Sequence, residues 1–169
     1  NEGLRGGKTI PLKANIDRAL DQDGTDSIEC VIVHRRTETE IAWNAGRDRW
    51  YHDLLGTEEA SCPCEPFNAE HPLFILYTSG STGKPKGVAH SYAGYLLFAA
   101  MTTKYSFDLR DDDVFACVAD VGWITGHSYI GDGPLCNGAT PVMFESVPTY
   151  PDPGRYWQMV ATHKISVFY

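Results

Sequence analysis

Apolar and polar positions along the chain change spacing often enough to predict a series of short elements. In "PLKANIDRAL" (11–20), Ile16, Ala19 and Leu20 fall on one side of a short helix, with Asn15 as its candidate N-cap. "IECVIVHRR" (28–36) is β-branched and predicts a strand, and "RDRWYHDLL" (47–55) predicts a short amphipathic helix. A polar, proline-bearing connection (56–72) follows and ends at "LFILY" (73–77), whose unbroken apolar character predicts a strand buried on both faces. "SYAGYLLFAAMTTKY" (91–105) predicts the longest helix. Beyond it, "DDVFACVAD" (112–120) and "TPVMFES" (140–146) predict strands, and "GRYWQMVATHK" (154–164) a helix leading into the apolar "ISVFY" (165–169). Strands alternating with helices predict α/β architecture with a mainly parallel sheet flanked by helices. No internal repeat and no low-complexity tract interrupts the pattern.

Composition bounds the function classes. The chain has 169 residues, 43% of them hydrophobic, enough for the core of one ordinary domain. A formal charge of −8 argues against general binding to nucleic acid or to a membrane surface, so an anionic ligand must be held by local cations and backbone amides. No apolar run approaches the ~20 residues of a membrane span. Five cysteines at irregular spacing (Cys30, Cys62, Cys64, Cys117 and Cys136) argue against a disulfide framework and for a reducing compartment. The chain opens without Met and stops inside an apolar run, which suggests an internal piece of something larger.

One stretch concentrates donors. Thr78, Ser79, Gly80, Ser81, Thr82, Gly83, Lys84, Pro85, Lys86 and Gly87 combine three glycines, four hydroxyls and two ammonium groups directly after the apolar run 73–77. Glycine lets backbone N–H groups come close to an anion, and a strand–loop–helix setting is one that phosphate sites favour. The Walker pattern fails, because Thr78 stands where its first glycine belongs and Pro85 where its Ser or Thr belongs. A flexible Gly/Ser linker is the plain alternative, but two lysines bracketing a proline beside an apolar strand favour a phosphate cradle.

"YTSGSTGKPKGV" resembles the signature loop of the adenylate-forming superfamily, which includes acyl-CoA synthetases, luciferases and peptide-synthetase adenylation domains. "NEGLRGGKTIPLK", "ADVGWITGHSY" and "GPLCNGAT...FESVPTYPDPGRYW" look like the acetyl-CoA synthetase branch, and the resemblance covers nearly the whole chain. It implies that residues 1–169 are part of the large N-terminal AMP-binding domain of such an enzyme. The implied reaction joins acetate to coenzyme A through an acetyl-adenylate, with ATP, assisted by Mg²⁺, as the nucleotide substrate and AMP and pyrophosphate released. Propionyl-CoA or another short-chain acyl-CoA synthetase, and a non-catalytic nucleotide-binding remnant, are the alternatives. By the same resemblance, residues 78–87 hold the β- and γ-phosphates, and Trp123, Ile124 and Thr125 wall the acyl pocket. Arg5, Gly6, Gly7, Lys8, Thr125 and Thr149 contact coenzyme A, Thr149 replacing an asparagine common in the family. No side chain of this sequence is assigned to a metal. The implied partners are the small molecules alone, in the cytoplasm, with the nucleus as a second compartment.

Other features carry less. Cys62 and Cys64 near His52 and His71 match no common zinc spacing. Asp111–Asp113 is a charged turn, His127 a structural histidine, and Glu145 has no partner that sequence identifies. Gly131 and Asp132 stand where the family carries a bulky, often aromatic pair. If that segment is helical the glycine costs about 1 kcal/mol, and a buried, unpaired Asp132 would cost several more. The family's adenine-binding segment, its ribose-binding aspartate and its C-terminal catalytic lysine find no match, so the isolated chain is expected to be inactive.

Overall fold

The computed structural model describes residues 1–79, 83–145 and 147–169, arranged as two compact units. The first comprises 1–63 and 145–153. It begins with an antiparallel hairpin of β1 (Gly3–Arg5) and β2 (Lys8–Ile10), turned by Gly6 and Gly7. Both glycines have positive φ, +56° and +77°, which suits the tight two-residue turn that matches strand twist. Helix α1 (Leu12–Leu20) follows, then a parallel pair of β3 (Val31–Val33) and β4 (Asp48–Trp50), and helix α2 (Tyr51–Leu55).

Charge, not only apolar area, fills the middle of this unit. Lys13 Nζ lies 2.7 Å from Asp17 and 2.8 Å from Asp48, and Arg47 bridges the same two carboxylates. Lys13 is 4% exposed and Asp48 2%. Such burial is tolerable only because every charge is paired. At the surface, Arg36 Nε and Nη2 both donate to Glu145 Oε2, at 2.9 and 2.6 Å, and the Leu4 amide donates to Oε1. Glu145 therefore has partners that the sequence did not reveal, worth at most about 1 kcal/mol at this exposure.

The second unit comprises 64–144 and 154–169. Its antiparallel ribbon is β5 (Pro72–Thr78) and β6 (Lys86–Ser91), after which comes helix α3 (Tyr92–Ser106). β7 (Val114–Ala116) is the centre of a three-stranded parallel sheet. A continuous helical stretch comes next: α4 (Ile124–Gly126), a π-helical turn (His127–Asp132) and α5 (Gly133–Cys136). β8 (Thr140–Pro141), helix α6 (Arg155–His163) and β9 (Val167–Phe168) complete the order, with β8 and β9 on either side of β7. Phe115 at the centre is 1% exposed and meets Phe107 edge-on. Tyr95, Ala99 and Thr103 form the buried stripe of α3.

The α/β expectation holds, with the strands divided among small parallel and antiparallel sheets. Several elements shrink or move. α1 starts at Leu12 after Pro11, whose fixed φ and missing N–H suit a helix start, so Asn15 lies inside the helix and accepts from Arg18. Residues 48–50, expected in a helix, pair as a strand with β3. Of the predicted strands 28–36, 112–120 and 140–146, only the cores 31–33, 114–116 and 140–141 are extended in sheets, and Ser146 lies outside the described residues. β5 is not buried on both faces: Ile75 and Tyr77 are 62% and 69% exposed. Its one partner among the described residues is β6, so its other edge has no strand beside it. All five cysteines are free. Among the described residues no helix is long and apolar enough to cross a membrane, and no group of three His, Cys, Asp or Glu could hold a metal.

Candidate functional site

The donor-rich stretch runs from the end of β5 to the start of β6, where Thr78 pairs with Lys86 and Tyr77 with Gly87. This corrects the expected strand–loop–helix setting: a strand intervenes before α3 because "KGVAHS" pairs back on β5. A Cβ at Gly87 would come within 3.2 Å of the Tyr77 ring and 3.0 Å of Ile75, so glycine there lets the aromatic ring lie across the ribbon. Gly83 has φ +81° and open space around it, a backbone state that L side chains rarely adopt. Thr78, Ser79, Lys84 and Lys86 are all exposed at this end. Gly80, Ser81 and Thr82 lie outside the described residues. Two ammonium groups and hydroxyls at one ribbon tip, with a Gly-relaxed backbone, can collect a polyanion from solvent.

Farther along the same ribbon lies a cavity of about 430 Å³. Ala89, Phe98 and Ile124 give it apolar walls, and His90, Tyr95 and Ser128 give it polar atoms. Ala89 is three residues along β6 from Lys86, so the loop and the cavity are roughly 10 Å apart along the strand. Of the expected acyl-pocket residues, Ile124 lines this cavity. Trp123 is 70% exposed and Thr125 half-buried, and neither belongs to the lining.

His127 pairs its Nδ1 with the Trp123 carbonyl at 2.9 Å and stacks on Phe74, the structural part expected of it. The Tyr95 hydroxyl lies 3.0 Å from Ser128 Oγ. Burial pushes the Tyr95 phenol up, Ser128 draws it down, and the Asp132 charge pushes it up again. Asp132 is half-buried rather than fully buried, and a Cβ at Gly131 would meet open space. His90, Tyr95 and Ser128 were not anticipated. The available signal was the spacing of Tyr95, Ala99 and Thr103, a buried stripe at every fourth position in which two members are polar.

In the first unit, the hairpin sets Arg5 opposite Lys8. Like charges facing each other across two strands repel, and an anion between them would relieve the repulsion. A Cβ at Gly7 would sit 2.8 Å from the Tyr150 ring and one at Gly6 3.0 Å from Val147. The turn is therefore packed against residues 147–150, which brings exposed Thr149 into the same neighbourhood as Arg5 and Lys8. Three stretches far apart in sequence importance, "RGGK", the glycine-rich loop and the Trp123–Ser128 turn, each acquire a defined local scaffold.

The profile of the family described as AMP-binding enzyme matches residues 9–169. The chain is 58% identical over all its 169 residues to acetyl-coenzyme A synthetase of Cupriavidus necator, and 59% identical to those of Burkholderia thailandensis and Burkholderia mallei. In each case it covers 26% of the relative, so it spans about a quarter of those proteins' length. With the match running through the glycine-rich loop, the cavity wall and the parallel strands alike, the chain belongs to the AMP-binding enzyme family.

Proposed function

We propose that this chain supplies the triphosphate loop and one wall of the acyl cavity in an enzyme that ligates acetate to coenzyme A through an acetyl-adenylate, releasing AMP and pyrophosphate. The observation that carries the reading is the likeness, along the whole chain, to proteins named acetyl-coenzyme A synthetase. The first step must bring a carboxylate onto a phosphate, two anions together, so positive charge and N–H donors have to be aimed at the phosphates beforehand. Lys84 and Lys86 supply that charge, and Thr78 and Ser79 supply hydroxyl donors. Ala89, Phe98 and Ile124 keep water from the methyl end of the acid, while Thr125, next to Ile124 but outside the cavity lining, is left to the incoming thiol. Arg5 and Lys8, with Thr149, take the nucleotide phosphates of coenzyme A. Magnesium arriving with ATP would supply further positive charge at the phosphates. The described residues offer it no carboxylate cluster, so charge neutralisation by this chain falls to the two lysines and backbone amides. Free thiols throughout fit a cytoplasmic setting.

Acetate-dependent ATP–pyrophosphate exchange by the longer protein tests the reading. Lys84→Ala is exposed and should fold normally, yet should lower exchange by roughly 10²-fold, the loss expected for one preorganised charge donor. Unchanged exchange would overturn the assignment of the loop. The 169-residue chain alone should show none, since most of the nucleotide site belongs to the remainder of the protein.

A further inference from the structure

Tyr95 and Ser128, 7% and 5% exposed, place two hydroxyls 3.0 Å apart at the edge of the cavity. Buried hydroxyls are costly unless each proton finds an acceptor. Joined to each other, they satisfy one donor and one acceptor, and either hydroxyl can be the donor.

Ser128 lies in the π-helical turn, so the phenol on α3 grips that turn through its hydroxyl. Such turns concentrate at functional sites. Ile124 precedes Ser128 by four residues, which puts both on one side of the helix, and both line the cavity.

We infer that Tyr95 is a positioning residue for acyl size: bonded to Ser128, one helical turn beyond Ile124, it fixes the depth at which Ile124 enters the cavity. The inference rests on the cavity being the acyl pocket. In the longer protein, kcat/KM for acetate and propionate is compared in three variants. Tyr95→Phe keeps the ring but drops the hydroxyl, and should move the acetate-to-propionate ratio about tenfold toward one, within the range one methylene controls, with the KM for ATP unmoved. Ser128→Ala should do the same, whereas Ser128→Thr retains the hydroxyl and should keep the original ratio. Should Tyr95→Phe fail to fold, Ser128→Ala cuts the same bond and leaves the ring in place. An unchanged ratio, or an equal loss for every substrate including ATP, overturns the role of Tyr95. A parent protein inactive with every short-chain acid overturns the acyl reading itself.

Discussion

Alanine at position 126 is expected to be among the most damaging single methyl additions in this chain. A Cβ there would lie 2.2 Å from the Asp120 carbonyl oxygen and 2.6 Å from the Val121 Cα. Both are backbone atoms, so no side-chain rotation relieves the overlap, and segment 120–121 must move away from the start of the helical stretch. The cost should exceed about 3 kcal/mol, beyond ordinary overpacking. Gly131→Ala, one and a half turns along, should have the opposite sign. Its Cβ meets nothing within 4 Å, so loss of the helical glycine penalty should stabilise by up to about 1 kcal/mol. Urea denaturation midpoints of the two variants check both. A Gly126→Ala protein that unfolds at the parent's midpoint would show that residues 120–121 stand farther from the helix.

Asp48→Ala should be nearly as costly, at about 3–5 kcal/mol, because it leaves Lys13 and Arg47 sharing the partly exposed Asp17. The same group predicts an acid limb. Burial pushes the Asp48 carboxyl up, but the Asn44 amide, Lys13 and Arg47 together outweigh it and hold the carboxyl at about 2, against an ordinary 3.8. A depressed folded pKa gives stability that is fully present above the unfolded value and is lost as pH falls through the folded one. The window is therefore roughly pH 4 to pH 2, and the loss from this group about 2 kcal/mol. Asp48→Asn should flatten that part of the stability–pH profile; a slope as steep as the parent's would mean that other carboxylates carry it.

Periodicity made some of this visible in advance. The apolar run 91–105 and the amphipathic 154–164 announced α3 and α6 almost to the residue, because their spacing is a local property. Partnership is not local. Lys13 sits among helix-forming residues and looks solvated until Asp48 arrives from another strand. Glu145 finds Arg36 across 109 positions. β5 was recognisable as a strand, but its two-sided burial depended on neighbours that the apolar run cannot specify, and β6 was hidden because a lysine and a glycine at its start mask its alternation. Of the residues singled out from the sequence, Ile124 lines the cavity and Lys84 and Lys86 are exposed near the ribbon tip. Polar atoms that serve packing gave no such signal: Tyr95 and Ser128 are ordinary members of helical segments until their hydroxyls meet.

The open flank of β5 has a practical consequence. Seven residues of extended backbone with β6 on one side and, among the described residues, no strand on the other leave a ladder of amide and carbonyl groups ready to dock a second copy. Ile75 and Tyr77 face outward there, adding apolar grip to that docking. Recombinant preparations of the chain should therefore self-associate more strongly as concentration rises, and a charged residue in place of Ile75 is the simplest way to keep them dispersed.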